Sequence, residues 1–319
     1  MYMARARAQT VAVPKKGKRL LAVKKHLPLY LMALPGLAYL FINNYMPLPG
    51  LVLAFKNFNA RKGIYGSDWA GLDNFKFLFS TQDAFIITRN TLLYNLVFII
   101  LNAVCAITVA IILSELTHKI KKFYQSVILL PYMISMVIVS YLVFGFLSPE
   151  SGFINKTILS ALNMEPISWY MEKEYWPFIL VFVNIWKGLG YNSIIYLSSI
   201  IGFDRSYYEA ALIDGASKWK QIRYITLPLL KPTIIMLSLL AIGRIFYSDF
   251  GLFYQVPMNS GALYAVTNTI DTYVYRGLLE LGDITLSAAA GFYQSLVGFV
   301  LVLTTNLIVR KIDPESSLF

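Results

Sequence analysis

Long apolar runs alternate with shorter polar stretches along the chain. Six runs, at about 28–48, 90–114, 124–147, 176–202, 225–249 and 284–309, are poor in charge. A bilayer core ~30 Å thick needs about 20 apolar residues of helix at ~1.5 Å rise each, and every run meets that length. Lipid offers no partner to an unpaired backbone amide, so each run is expected to be helical. The pattern predicts an all-α integral membrane protein with six transmembrane helices.

Composition supports this reading. Of 319 residues, 57% are hydrophobic and only 14% are charged, against roughly 25% charged in soluble domains. The first run follows a basic leader, but it exceeds a signal core of ~7–15 residues and no A-x-A-like site follows it, so it reads as a retained helix. The lone Cys105 lies inside the second run and suggests neither a disulfide framework nor a metal site.

The net charge of +11 gains meaning from its placement. With the N-terminus on the cytoplasmic side, the inner segments 1–27, 115–123, 203–223 and 310–319 hold 17 Lys and Arg. The longer outer segments 49–89, 148–175 and 250–283 hold 8. This positive-inside bias predicts both termini in the cytoplasm. The basic segment 1–27 is expected to orient the chain and touch anionic lipid; nucleic acid is not an expected partner. The outer segment 49–89 reads as a structured cap with an amphipathic piece near Leu72–Phe79, and 250–283 is polar, with Tyr264, Asp271, Tyr273, Tyr275 and Arg276.

One inner stretch stands apart: "RSYYEAALIDGASKWKQ", between the fourth and fifth runs. Ser206 and Glu209 have capping-box spacing. Ala210, Ala211, Leu212 and Ile213 favour helix or supply an apolar face, and Gly215 suits a left-handed helix end. A short helix at about 204–216 follows. The run Glu209-Ala210-Ala211, three residues, Gly215, nine residues, Ile225, one residue, Leu227-Pro228 resembles, without a gap, the EAA motif of binding-protein-dependent ABC importer permeases. "NIWKGLGYNSIIYLSSI" is similar to the maltose-type sugar permeases, and "YMPLPGLVLAFKNFNARKGIYGSDWAGLDNFKFLF" to the polysaccharide and oligouronide (alginate-type) branch.

The resemblance implies a type I ABC importer permease fold over residues 28–319, in a bacterial inner membrane. It also implies a second, different permease, a dimeric cytoplasmic ATPase carrying ATP and Mg, and an extracytoplasmic solute-binding protein as partners. Glu209, Ala210, Ala211, Asp214, Gly215, Ile225, Leu227 and Pro228 would then couple to the ATPase. The chain itself offers no phosphate-binding loop: its one Gly-Lys pair, Gly17-Lys18, lacks the G-x-x-x-x-G-K-[ST] context. No cofactor of its own is expected.

Ionisable and amide side chains at membrane depth are costly and point to function or to helix packing. Asn184, Lys187 and Tyr191 share one face of the fourth run, beside Asn192; Arg244 and Tyr247 lie in the fifth and Gln294 in the sixth. Aromatics and amides suit a sugar, and two cations would suit an acidic one such as a uronate. These seven residues are the substrate-path candidates. Packing is the competing reading for each, with Arg244 neutralised by Asp249. Asn95 and Asn102 are assigned mainly to packing, and Ser287, Gly291 and Ser295 to a helix–helix contact. A membrane-embedded transferase would need His or paired carboxylates at depth, and a channel would need a selectivity loop; His26 and His118 are isolated on inner segments. The sequence therefore points to an importer permease for an acidic oligosaccharide, with a neutral oligosaccharide as the alternative cargo.

Overall fold

The computed structural model describes residues 26–312; the basic leader, with Gly17-Lys18, and the C-terminal tail lie outside the described residues. The chain divides near residue 52 into two units. The first contains helix α1 (Leu27–Leu40), which continues through a widened turn at Phe41–Tyr45 into a tighter one from Leu48. Residues 26–49 are exposed throughout, and the apolar helical stretch Leu27–Phe55 is long enough to cross a membrane.

The second unit opens with a two-stranded antiparallel ribbon, β1 (Lys56–Asn57) on β2 (Asp68–Trp69), with Lys56 opposite Trp69. This ribbon departs from the purely helical expectation. It belongs to the expected cap: the Asn74 amide donates to the carbonyls of Ala54 (3.0 Å) and Lys56 (3.1 Å). Asn74 sits on α2 (Asp73–Ser80), within a residue of the predicted amphipathic piece. Phe55, Phe75 and Phe292 meet in edge-on contacts that seat the cap on the last helix.

The bundle follows. Helix α3 (Gln82–Glu115) has 34 residues, about 50 Å, and so outruns a ~30 Å bilayer core. Helices α4 (His118–Met133) and α5 (Met136–Leu147) replace the third expected span by a pair bent through 94°. Pro131 cannot donate a backbone N–H. Ile134 and Ser135 are extended, and the Ser135 side chain then accepts from the Ile138 N–H to start α5. Helix α6 is Trp176–Ile201, α7 is Ser206–Ile213, α8 is Lys218–Ile242, α9 is Ile270–Leu279 and α10 is Ile284–Ile312. Among the described residues the structure thus holds five apolar helices long enough to cross a membrane, or up to six spans if the bent pair counts as one.

The fifth span is shifted from its expected 225–249, because helix ends at Gly243. Along its first turns it widens over Ile222–Thr226. Pro228 follows directly, so the wide turn removes the clash its ring would otherwise make with the preceding turn. Fully buried Ala106 and Ala110 on α3 let Leu197 and Leu230 pack closely. A second cluster around Trp176, Leu180, Phe253 and Val256 binds α6 to the segment after α8. Of Ser287, Gly291 and Ser295 on α10, Ser287 sits in close packing against Gly277, where an added Cβ would lie 2.4 Å from its hydroxyl, whereas a Cβ at Gly291 would meet nothing and Ser295 is exposed.

Candidate functional sites: a membrane cavity and a capped helix at one end of the bundle

Helices α3, α6 and α8 border an open cavity of about 300 Å³ lined by Asn95, Asn102, Asn184, Asn192, Arg244 and Tyr247, among others. Asn95 and Asn102, seven residues apart, share one face of α3; Asn184 and Asn192 lie on the facing side of α6. The Asn102 amide donates to Asn184 Oδ1 at 2.8 Å, while Asn102 Oδ1 is buried without a hydrogen-bond partner. Gly188 lies beside this pair, where a Cβ would make van der Waals contact, at 3.4 Å, with both Asn102 Oδ1 and Asn192 Nδ2. The result is a patch of amides in an otherwise apolar bundle.

Arg244 and Tyr247 reach the cavity because α8 has ended: residues 243–249 form turns and irregular chain. Inside a membrane the freed carbonyls need donors. The Asn95 amide donates to Ile245 O (2.8 Å) and Tyr247 O (3.1 Å), and the Gln294 amide to Phe246 O (2.7 Å). The stretch is therefore held open by side chains of α3 and α10. The Arg244 guanidinium makes no hydrogen bond or ion pair among the described residues. Asp249, its alternative partner from the sequence, instead accepts the Leu252 N–H at 3.1 Å.

Of the seven substrate-path candidates, four (Asn184, Asn192, Arg244, Tyr247) line this cavity and three do not. The Lys187 ammonium donates to the carbonyls of Pro131 (3.2 Å), Tyr132 (3.3 Å) and Ile134, at the bend between α4 and α5. Tyr191 stacks on Tyr132, ring centroids 4.7 Å apart. Gln294 is buried at the α8 break and also donates to Asp271 Oδ1 at 3.1 Å. Conversely, Asn95 and Asn102, read as packing residues, both line the cavity; their shared helix face was the available signal. Among the described residues no cluster of His, Cys, Asp or Glu could hold a metal ion.

The second site lies at the end of the bundle where α3 stops and α8 starts. The capping box expected of Ser206 and Glu209 does not form. Asp204 Oδ1 accepts the Ser206 N–H at 2.9 Å, and Ser206 is already inside α7. That bond, with a second to the Ser206 side chain, holds the Asp204 carboxyl below its ordinary pKa. Glu209 is exposed on the first turn, where its charge suits the positive helix end.

The C-terminus of α7 follows the expectation. Gly215 has φ +70. The Ala216 N–H donates to Ala211 O (2.8 Å) and the Gly215 N–H to Leu212 O (3.1 Å), which is a Schellman closure beyond the cap residue Asp214. Ser217 then caps the start of α8. Tyr208 Oη lies 3.0 Å from Thr226 Oγ1, and Lys218 pairs with Glu115 at 2.7 Å, tying α7, α8 and α3 together. Ile225 falls within the widened turn, and Leu227 and Pro228 open the α-helical part that follows. Leu212 and Ile213 are 60% and 87% exposed, so a rigidly closed helix carries an uncovered apolar edge. Behind it lies a cavity of about 990 Å³, lined by Arg205, Glu209, Lys121 and Lys122 among others.

Residues 96–314 match the family model described as "Binding-protein-dependent transport system inner membrane component". The fold superposes on the crystal structure of a bacterial ABC transporter involved in the import of the acidic polysaccharide alginate. That match has TM-score 0.84 and 32% identity, and covers 93% of this chain and 99% of the other. The chain is also 34% identical to the polygalacturonan/rhamnogalacturonan transport system permease protein YteP of Bacillus subtilis, over 98% of both chains. It is 34% identical to Protein LplB of the same organism, over 92% of both. With its long apolar helices, the chain is a multi-pass inner-membrane protein, and by these matches it belongs to the permease subunits of binding-protein-dependent ABC importers.

Proposed function

We propose that this permease carries an acidic oligosaccharide through the cavity between α3, α6 and α8, with Arg244 recognising a sugar carboxylate. The observation that carries this reading is the unpaired Arg244 guanidinium beside Asn102, Asn184 and Asn192 in a site of limited polarity. A guanidinium matches a carboxylate with two parallel hydrogen bonds, and amides serve sugar hydroxyls in both directions. Relatives whose names specify alginate and polygalacturonan, both polymers of acidic sugars, support the same cargo class.

The cavity is open on one side within this chain, and a second, homologous permease would complete it. A solute-binding protein would deliver cargo to the face carrying the 56–80 cap and the 250–283 segment. The opposite face, with α7, would be cytoplasmic, and the positive-inside bias would put both termini in the cytoplasm as well. There α7 would dock its Leu212–Ile213 edge on a dimeric ATPase that binds ATP and Mg. Glu209, Ala210, Ala211, Asp214 and Gly215 would form the docking element, and Ile225, Leu227 and Pro228 its rigid junction with α8.

The test is ATP hydrolysis by the reconstituted complex with its binding protein, over a panel of acidic and neutral oligosaccharides. Stimulation by oligouronides and not by neutral sugars of equal length is expected. Stimulation by neutral oligosaccharides alone would replace the acidic cargo by a neutral one.

A further inference from the structure

One carboxylate on the segment between α8 and α10 holds the stretch that presents Arg244 and Tyr247 to the cavity. Asp271, in the first turn of α9, accepts from the Ser248 N–H (2.7 Å) and the Ser248 hydroxyl (2.6 Å) through Oδ2. Its Oδ1 accepts from the Gln294 amide (3.1 Å), whose nitrogen also donates to Phe246 O. Ser248 is the residue after Tyr247 and four after Arg244. The start of α9 is itself fixed: Thr269 and Thr272 form a reciprocal cap, the Ile270 N–H donates to Thr91 on α3 at 3.1 Å, and Ile270 is fully buried beside Ile87 and Phe246.

We infer that Asp271 is a positioning residue for the transport site. It joins α9 and α10 to the non-helical stretch that presents Arg244 and Tyr247 to the cavity. Three donor groups converge on one carboxylate, and no neutral side chain of the same shape replaces it. In Asp271→Asn, one of the two carboxylate oxygens becomes an NH2 group. That NH2 faces either the Ser248 donors or the Gln294 amide, and Gln294 cannot turn its oxygen towards Asp271 without losing its bond to Phe246 O. A residue of the polar segment 250–283 thereby sets where the cavity's cation stands, so a partner that displaces α9 would also shift the site. The inference depends on the cavity being the transport site, not on the charge of the cargo.

Two measurements on the full complex in lipid discs test it. The first is hydrogen exchange in peptides covering 244–249, where Asp271→Asn is expected to speed exchange of the Ser248 amide at least tenfold. The second is a double-mutant cycle on kcat/KM for uptake, in which Asp271→Asn and Arg244→Gln are expected to be non-additive because one acts through the other. Unchanged exchange at Ser248, or additive losses, would overturn the inference. Should Asp271→Asn fail to insert, Ser248→Ala removes the hydroxyl's contacts with Asp271 and with Thr269 Oγ1 (2.8 Å) and keeps the N–H bond to Asp271, and a threefold faster exchange over 244–249 is then expected; no change would overturn the proposal. If Arg244→Gln alone leaves uptake intact, the cargo reading falls and the exchange result still decides the role of Asp271.

Discussion

The Lys187 ammonium lies 3.2 Å from the Pro131 carbonyl and also takes those of Tyr132 and Ile134, one proton for each of three carbonyls at a broken helix end. Residues that end a helix inside lipid leave acceptors that water cannot reach. A cation also suits the negative end of the α4 dipole. Lys187→Met removes all three donors at once. It should destabilise the permease by about 1–3 kcal/mol, the usual cost of leaving buried polar groups unpaired. Thermal unfolding of the purified complex checks this, with a lowered midpoint expected and Lys187→Arg recovering part of it.

The same α6 face needs Gly190. A Cβ there would stand 2.0 Å from the Ile128 carbonyl oxygen on α4, whereas one at Gly291 would touch nothing. Gly190→Ala should cost at least about 1–3 kcal/mol as α4 and α6 are forced apart. Gly291→Ala should be neutral or slightly stabilising. Thermal denaturation of the two variants side by side distinguishes them.

These two positions show what the sequence made legible. The five long apolar helices and the apolar bent pair were visible because burial in lipid demands length and apolarity along a span. The end of α7 was visible because Gly215 and its neighbours satisfy a local geometry. The break at 134–135 was hidden, since apolar side chains flank it on both sides, and 243–249, with Arg244, Tyr247 and Asp249, reads in sequence as the outer end of the fifth span. A polar residue opposite a break reads like a ligand: Lys187 and Gln294 serve carbonyls two or more helices away in sequence, and only Pro131 and Gly243 hinted that such carbonyls exist. Asn95 and Asn102 do pack, bonding the Ile245 and Tyr247 carbonyls and Asn184, and they also line the cavity, because an amide that packs and an amide that lines a cavity have the same spacing. The capping box at Ser206 failed by a register of two, with Asp204 better placed to reach the first free N–H.

Gly215→Asp places a side chain where φ is +70, a left-handed backbone that costs a residue with a Cβ about 1–2 kcal/mol. The Schellman closure should loosen while the spans remain inserted. Uptake should fall at least tenfold, and ATP hydrolysis by the complex should lose its response to loaded binding protein. Membrane content by immunoblot, measured beside both activities, separates this from loss of the protein.

Asp204 gives α7 a pH dependence of defined sign. Its folded pKa lies below the ordinary carboxyl value, so its contribution is fully present above about pH 4 and disappears as pH falls through the lowered value. Exchange of amides in 205–213 should therefore be flat across neutral pH once corrected for intrinsic rates. In Asp204→Ala it should be faster at every pH above 4, with the Ser206 amide most affected.

The most direct measurement is uptake into proteoliposomes holding the complete importer, with matched acidic and neutral oligosaccharides, for the wild type and Arg244→Gln. A carboxylate met by the unpaired guanidinium predicts at least a tenfold loss of kcat/KM for the acidic sugar and little change for the neutral one. Equal effects on both cargoes, or no effect on either, would contradict it.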